Sequence, residues 1–538
     1  MSGHARDSST ESFSSLSTLQ QESRSFLDEK RALDNEVENH GWNTKSKAWL
    51  RSHARSIALP SVCAFGIRAI YAVLPSFIQS RINGEHTKPE RISPTSYLDG
   101  LRGLAALFVF FCHYSYNCYV ITHGFGLGDQ GENYHILQLP IVRLFYSGPP
   151  MVCIFFVISG YALSLKPIKQ IRARQLDSLL STMTSSIFRR GIRLFLPCFI
   201  STFMVVVMIR LGWYEQTREF AANKEFLRNV IEHHPKQLDT LYEQLCDWTW
   251  DMFQFVHIWE WKQFAGSTGY DLHLWTIPVE FRASMMLFLT IIGLARVRVW
   301  IRFVLLLGCM YFVLRSDRWE MFLFYSGMLL AEVDVIRDSI YSPPQSPLPT
   351  KEGRADSMGI LSQPSSPISE SPTNLTRQKL ASCLWILLGL FALYLMSQPD
   401  DFSENTPGWI YLCSLIPEWF TTKYRFWQSM GSVLFVFAAS NCAPWRRPLE
   451  TPLVQYLGKI SYAIYLVHGP LIHVFGYVVE PWAWSITGTE GWRYHAGFVL
   501  GAVFIIPTTF WAADLFWRFI DTPCVKLARW VEKKCAVE

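Results

Sequence analysis

Ionisable side chains within apolar segments are the residues of this sequence that could do chemistry. Asp99, Arg102 and His113 lie in one such segment, near residues 99–120. The 11 residues from Arg102 to His113 would turn a helix through about three revolutions and rise roughly 16 Å, so both side chains would share one face. An imidazole held deep in an apolar bundle, below a cationic mouth, suits a general base that acts on a buried hydroxyl. A histidine that only hydrogen-bonds two helices together is the structural alternative.

Glu280 and His468 are further ionisable groups in apolar segments. Glu280 follows Pro278, which would kink or open its helix, and it could pair with Arg282 or with a substrate hydroxyl. An acid that fixes two helices is the structural alternative. His468 precedes a Gly-Pro pair inside the apolar segment 454–478. Both residues are therefore candidates for a site within the helices.

Three arginines, Arg189, Arg190 and Arg193, open the apolar segment 192–211. Arg189 and Arg193 would be neighbours on one helix face, and guanidinium groups bind phosphates in a bidentate manner. The pattern indicates a site for a phosphorylated ligand such as coenzyme A. Charges that set the membrane topology or contact lipid headgroups are the alternative.

An aromatic and small-residue pattern formed by Phe155, Phe156, Ser159 and Gly160 lies in the segment 139–165. The Ser-Gly pair can loosen a helix and present backbone amides, while the two rings pack on apolar chains. Such patterns are also common in helix packing within membranes.

The elements that must position these side chains are apolar helices. Of the 538 residues, 50% are hydrophobic and 17% are charged, against about 25% charged in an ordinary soluble domain. Runs of roughly 20 apolar residues are what a bilayer core requires, because each backbone amide there must be satisfied within its own helix. The sequence predicts an all-α, polytopic transmembrane bundle of about ten spans. They lie near residues 99–120, 139–165, 192–211, 273–295, 299–315, 319–336, 380–397, 425–441, 454–478 and 496–518.

Successive short loops are alternately rich in lysine and arginine and rich in acidic residues. This alternation predicts that both termini are cytosolic. Residues 1–56 are predicted to be a disordered tail and 57–94 an interfacial amphipathic segment. The membrane domain is predicted over 95–525, with a disordered cytosolic loop at 338–378, and 526–538 is predicted to be a cytosolic tail. The twelve cysteines show no paired metal-site spacing, so we expect no metal site.

The apolar segments and their polar residues, in this order, resemble the acyltransferase-3 family of integral membrane acyltransferases. The resemblance covers residues 95–525. The long tail and the Ser-Pro loop are similar to those of eukaryotic, particularly fungal, members. The resemblance implies a ten-helix core that binds no cofactor, uses acyl-CoA as co-substrate and acylates sugars, lipids or specialised metabolites.

Residue by residue, the resemblance implies that His113 is the catalytic base, Arg102 its essential neighbour and Glu280 part of the active-site lining. It also implies positions beside acyl-CoA for the aromatic and small-residue pattern, with the arginines toward the coenzyme A phosphates. Asp99 and His468 are further candidates. The residues after the glutamate, Phe281 and Arg282, depart from the family pattern.

The sequence thus predicts a membrane-bound O-acyltransferase that moves an acyl group from acyl-CoA to a hydroxyl, in the endoplasmic reticulum or another internal membrane. Its expected partners are acyl-CoA, a hydroxyl-bearing acceptor and membrane lipids, with no nucleic acid. A proton-coupled transporter or flippase for a lipid or metabolite is the alternative, because intramembrane charges and broken helices serve transport equally well. A catalytically silent scaffold is a third interpretation.

Overall fold

A computed structural model describes residues 70–83, 93–128, 133–259, 266–341 and 372–536. Within these ranges the regular structure is helical and contains no β-strand, so the all-α prediction is confirmed. The predicted tail at 1–56 lies outside the described residues, as do 57–69 and 342–371.

The chain divides into two units, Met1–Arg91 and Ile92–Glu538. In the first unit, the described residues contain a short helix at Ser76–Ile82 with no buried side chain. This helix lies inside the predicted interfacial segment.

The second unit is built from ten long helices, counted over the described residues and labelled α1 to α10. They are α1 Ser96–Tyr116, α2 Gly148–Arg172, α3 Leu176–Arg210, α4 Thr276–Leu294, α5 Val299–Arg315, α6 Trp319–Tyr341, α7 Pro372–Met396, α8 Tyr424–Asn441, α9 Pro452–Leu471 and α10 Trp492–Phe516. Shorter helices are Ile136–Gln138, Val142–Tyr146, Trp213–Ala221, Leu241–Phe255, Leu272–Trp275, Ser403–Asn405, Ile410–Ser414, Ala443–Leu449, Ile472–Gly476, Tyr477–Thr487, Trp517–Asp521 and Thr522–Cys535.

The long helices lie close to the predicted segments, with two differences at the ends. α2 begins at Gly148 rather than near residue 139, because prolines occupy its first turn and start the helix there. After α10 the chain remains helical to Cys535 through a π-turn at Trp517–Asp521. Most of the predicted C-terminal tail is therefore a helix.

Six helical stretches among the described residues are long and apolar enough to cross a membrane. They are Gly148–Arg172, Leu176–Arg210, Leu272–Leu294, Lys379–Met396, Pro452–Thr487 and Trp492–Cys535. The protein is an integral membrane protein by this composition, and the count of ten crossings stays a prediction.

Small residues bring the central helices together. A Cβ added at Gly103 of α1 would overlap the backbone of Gly458 in α9, and a Cβ at Gly160 of α2 would overlap the carbonyl of Phe324 in α6. These close approaches form the two most extensive helix pairings, α1 with α9 and α2 with α6.

Two large apolar clusters make up the core, and partly buried side chains lie at the boundary between them. Leu104, Phe155 and Tyr465 are only partly buried, and each packs against both clusters. Leu104 lies two residues after Arg102 on α1, whereas Tyr465 lies one turn before His468 on α9. We call these three side chains the core boundary. Along the helix axes, they lie between Arg102 and His468.

Candidate functional site

Three histidines from separate elements meet inside the bundle. His113 comes from α1, His468 from α9 and His273 from the short turn that precedes α4. The ring centroids of His113 and His273 lie 4.1 Å apart, those of His273 and His468 4.8 Å, and those of His113 and His468 5.2 Å. The structure thus brings two predicted site residues together with a histidine to which the sequence assigned no role.

Two of these rings keep an unengaged nitrogen. His468 Nδ1–H donates to the carbonyl oxygen of Ile464 at 3.1 Å, which leaves Nε2 as a lone-pair acceptor. This Nε2 and Nδ1 of His113 are both buried, and neither has a hydrogen-bond partner in the described part of the chain. The His113 ring as a whole is partly accessible. The cluster can therefore receive a hydroxyl group.

His273 is held between two carboxylates. Its Nδ1 lies 2.8 Å from Oδ1 of Asp271, and its Nε2 lies 3.0 Å from Oε1 of Glu232. A neutral imidazole carries one N–H, so both contacts together require a doubly protonated ring. All three side chains are at most 5% exposed. A fixed positive charge therefore lies beside His113.

Glu232 extends this contact into a buried chain. Its Oε2 lies 3.0 Å from His473 Nε2, His473 Nδ1 lies 2.9 Å from His234 Nδ1, and His234 Nε2–H donates to the Tyr214 carbonyl at 2.7 Å. Burial raises the pKa of Glu232, but the charge and hydrogen bonds of His273 and His473 hold that pKa well below its ordinary value. Burial lowers the pKa of His234 to about 4. The chain therefore links Glu232 to the rings of His273 and His473 and ends in the neutral ring of His234.

Local backbone geometry sets the direction of His473 and allows the close packing of the backbone against His273. His473 lies in the π-turn Ile472–Gly476 that follows α9, and such turns occur often at functional sites. On an ordinary α-helix, His468 and His473 would point roughly 140° apart, and the wider turn changes the direction of His473. Gly469 allows the close contact beside them, since a Cβ there would lie 2.5 Å from His273 Nδ1 and 3.0 Å from Asp271 Oδ1.

The three clustered rings could in principle hold a metal ion, because their nitrogens lie within 4.8 Å of one another. Zinc takes three or four protein ligands. Both nitrogens of His273 are already engaged by carboxylates, so only His113 and His468 have a nitrogen to offer. The donor set fits a hydroxyl better than a metal ion.

A second polar cluster lies around Glu280. Arg190 Nη2 donates to Glu280 Oε1 at 2.8 Å and Arg190 Nε donates to Ser284 Oγ at 3.1 Å. Ser159 Oγ donates to the same Glu280 oxygen at 3.2 Å. The glutamate predicted as catalytic therefore contacts two residues predicted to bind acyl-CoA.

Arg102 and Arg193 belong to the same electrostatic neighbourhood, because both repel Arg190. Arg102 lies about three helical turns from His113, as the unbroken α1 requires. Glu280 lies about two turns beyond His273. The predicted catalytic residues are thus divided between two clusters. The histidine cluster is formed by His113, His273 and His468, and the arginine cluster by Arg102, Arg190 and Arg193 with Glu280. The core boundary lies between them.

The remaining predicted residues contact other parts of the bundle. Phe156 stacks on Trp319 with centroids 5.7 Å apart, and Gly160 lies at the contact with α6. Arg189 forms an ion pair of 3.1 Å with Glu532 of the C-terminal helix. Asp99 pairs with Arg102 at 3.4 Å and is largely exposed. The role of Phe156, Gly160 and Arg189 toward acyl-CoA stays a prediction, and so does any role of Asp99 in the site.

Arg282 pairs with Glu320 at 3.4 Å rather than with Glu280. The side chains of Arg282 and Glu320 are both almost completely buried. Removing one member of such a pair leaves an uncompensated buried charge, at a cost of about 3–5 kcal/mol. The arginine after the family glutamate is therefore structural here.

A cleft opens beside the histidine cluster, between the helix Leu241–Phe255 and the preceding loop. Its volume is about 610 Å³, and Asp247, Trp250, Asp251 and Tyr270 are among its lining residues. A narrower inner space shares four lining residues with this cleft: His233, Pro235, Gly269 and Tyr270. Asp271, His273, Glu232 and His473 also line the inner space. The cleft therefore leads to the carboxylate side of the histidine cluster.

Comparison with known proteins places this geometry in a family. Residues 95–518 match the acyltransferase domain of the acyltransferase-3 type. The chain belongs to this family. The acyltransferase is therefore an enzyme of the transferase class, which favours the catalytic interpretation over the transporter and the silent scaffold.

Three fungal acyltransferases are similar to this acyltransferase over most of its length. O-acetyltransferase PaAT-1 of Phomopsis amygdali is 30% identical over 480 residues, which cover 86% of this chain and 88% of the relative. Acyltransferase R4 of Phoma sp. (strain ATCC 20986 / MF5453) is 26% identical, over 84% of this chain and 98% of its own. Acyltransferase clz18 of Cochliobolus lunatus is 27% identical, over 80% and 94%. No solved structure matches the chain.

Proposed function

We propose that this acyltransferase transfers an acyl group from acyl-CoA to a hydroxyl of a lipid, carbohydrate or specialised metabolite, with His113 as the general base. The observation that carries the proposal is the meeting of His113, His273 and His468 at one end of the core boundary, whose other end lies beside Arg102. The name of the relative PaAT-1, an O-acetyltransferase, supports a hydroxyl acceptor and a short acyl group.

The charge of the surroundings supports His113 as the base. Burial in the apolar bundle disfavours a positive charge on His113, and repulsion by the protonated His273, with its ring centroid 4.1 Å away, adds to this effect before the reaction begins. His113 is then neutral and can accept a proton. The lone pair on His468 Nε2 can accept a hydrogen bond from the same hydroxyl or from His113, and so orient them.

The reaction needs one proton transfer in each direction. The acceptor hydroxyl attacks the thioester carbonyl carbon while His113 takes its proton, and a carbon–oxygen bond forms. The carbon–sulfur bond then breaks, and the protonated His113 returns the proton to the thiolate of coenzyme A. The products are an ester and free coenzyme A, and the histidine is neutral again.

The arginine cluster suits the donor end. Arg190 and Arg193 can bind the phosphates of coenzyme A, with Arg102 beside them and the Glu280 contact fixing Arg190. The thioester would then reach His113 along the core boundary, where Leu104, Phe155 and Tyr465 are only partly buried. No bound cofactor takes part in this proposal.

The proposed location is the endoplasmic reticulum or another internal membrane, with both termini cytosolic. The alternation of basic and acidic loops supports this orientation. The arginine cluster would then face the cytosol, where acyl-CoA is available.

The test is acyl transfer by purified protein in detergent micelles. Radiolabelled acetyl-CoA is incubated with lipid extract or with a metabolite extract, and labelled ester is measured for the native protein, His113→Gln and His495→Gln. General-base catalysis contributes about 10²–10⁴-fold, so we expect a loss of that size for His113→Gln. His495 is exposed on α10, and its variant should retain native activity.

Equal ester yields from folded native protein and His113→Gln would refute the base assignment. Absence of ester formation by native protein with every extract, using acetyl-CoA and longer acyl-CoAs, would refute the donor and the acceptor class.

A further inference from the structure

We propose that the cleft at the helix Leu241–Phe255, together with the inner space behind Gly269, is the acceptor site, and that it takes a neutral molecule with several hydroxyl groups. The inference rests on the proposed function and adds the substrate class and its binding residues. It stands on the cleft, its connection to the histidine cluster and the polar groups along both.

The connection is short. Gly269 and Tyr270 line both the outer cleft and the inner space, and His273, three residues after Tyr270, lines the inner space. Asp251 accepts a hydrogen bond from the Gly269 amide at 3.1 Å, which fixes this turn at the passage. The inner space has a volume of about 10 Å³, roughly what one water molecule needs, so a single hydroxyl group of a molecule bound in the cleft can enter it beside His273.

The inner end of the route holds unused acceptors. Asp271 lines the inner space and is 6% exposed. Its Oδ1 accepts from His273, whereas its Oδ2 has no hydrogen-bond partner among the described residues. His468 does not line the inner space, but its ring centroid lies 4.8 Å from that of His273, and its Nε2 also has no hydrogen-bond partner among the described residues. Buried polar atoms normally have partners, and acceptors of this kind are satisfied by hydroxyl donors.

The outer end selects against anions. Asp247 and Asp251 both line the cleft, with Lys236 as a single lysine among its lining residues. Trp250, which is 61% exposed, offers an apolar face beside these polar groups. A volume of about 610 Å³ lies within the usual 300–1,000 Å³ range of small-molecule sites. A neutral, hydroxylated molecule with an apolar skeleton meets all three conditions.

Gly269 provides a direct test, because a Cβ there meets no atom of the described residues within 4 Å. A large side chain can enter this open space and obstruct the passage without displacing backbone. Gly308 of α5 likewise has no atom of the described part of the chain within 4 Å of an added Cβ, and it is not a lining residue of the cleft. Gly269→Phe and Gly308→Phe are therefore a matched pair.

The experiment uses full-length protein, radiolabelled acetyl-CoA and a metabolite extract separated into neutral and acidic fractions. Transfer to each fraction and binding of acetyl-CoA by filter assay are both measured. We expect Gly269→Phe to lose transfer at least tenfold while it binds acetyl-CoA as the native protein does, and Gly308→Phe to retain both. Native protein should label the neutral fraction in preference to the acidic one.

A second variant makes the test independent of how Gly269→Phe folds. Trp250→Ala removes an exposed ring and should raise the KM for the neutral fraction several-fold with an unchanged KM for acetyl-CoA. Native transfer rates in both Gly269→Phe and Trp250→Ala, or preferential labelling of the acidic fraction, would overturn the proposal. Absence of transfer by native protein to either fraction would instead count against the proposed function.

Discussion

Gly469 offers a sharp test of the histidine geometry, because a single methyl group there disturbs one contact. A Cβ at this position would lie 2.5 Å from His273 Nδ1, whereas ordinary contact begins at 3.4 Å. In Gly469→Ala the ring must therefore move by about 0.9 Å. It cannot move without straining its bonds to Asp271 and Glu232, which hold both of its nitrogens.

A displacement of about 1 Å in a reacting constellation can cost on the order of 10²-fold in rate, which corresponds to about 2.7 kcal/mol in the activation free energy. We expect a loss of this size in kcat for acetyl transfer, with little change in the KM for acetyl-CoA, because the arginine cluster is untouched. Initial rates over a range of acetyl-CoA concentrations measure both quantities.

Gly308→Ala is the matched control. It makes the same chemical change in a helix where, over the residues that the structure describes, no atom lies within 4 Å of the new Cβ, and alanine favours either helix by up to about 1 kcal/mol. A folded Gly469→Ala protein with a kcat within twofold of the native value would refute the positioning of His273 by this contact.

Three further predictions concern the charged groups. Arg193→Gln should raise the KM for acetyl-CoA about tenfold or more, since a charge-assisted hydrogen bond is worth about 1.5–3 kcal/mol; Arg298→Gln, at an exposed arginine before α5, should leave this KM nearly unchanged, and equal effects would contradict the phosphate assignment. Glu232→Gln should lower both the melting temperature in detergent and kcat, because it leaves the protonated His273 without one carboxylate and breaks the link to His473; native values of both would contradict the buried chain. Burial lowers the pKa of His234 in the folded protein to about 4, below the ordinary value near 6.5, so the unfolded chain binds the proton first and the stability of the fold should fall as the pH drops from about 6.5 to 4. In His234→Gln this part of the pH dependence of the melting temperature should disappear, and an unchanged pH profile would contradict a buried neutral ring.

The helices were predictable because apolar length is a local property of the sequence. α1 was expected near 99–120 and occupies Ser96–Tyr116, and the spacing of Arg102 and His113 on it follows from helix geometry alone. The start of α2 was missed because the apolar run at 139–147 contains short turns before the prolines. A hydropathy profile shows the apolar segment but does not show the turns within it.

The site was less predictable, because its main contacts join distant parts of the chain. Glu232 lies in a polar loop, 41 residues from His273 and 241 residues from His473. No periodicity connects these positions, and an acid in a polar loop reads as a solvated charge. The adjacent histidines at 233 and 234 were the available signal. In contrast, Ser159, Arg190 and Glu280 lie within recognisable motifs, and the structure places them in contact.

The π-turn at Ile472–Gly476 has a consequence for how this sequence can change. A π-turn is equivalent to one extra residue in a helical turn, so deleting a single residue there would restore regular α-helical pairing while the following helix kept its orientation. The extra residue instead sets the direction of the side chains within the turn, among them His473. Loss of one residue here should therefore preserve the packing of the later helix but break the contact between His473 and Glu232.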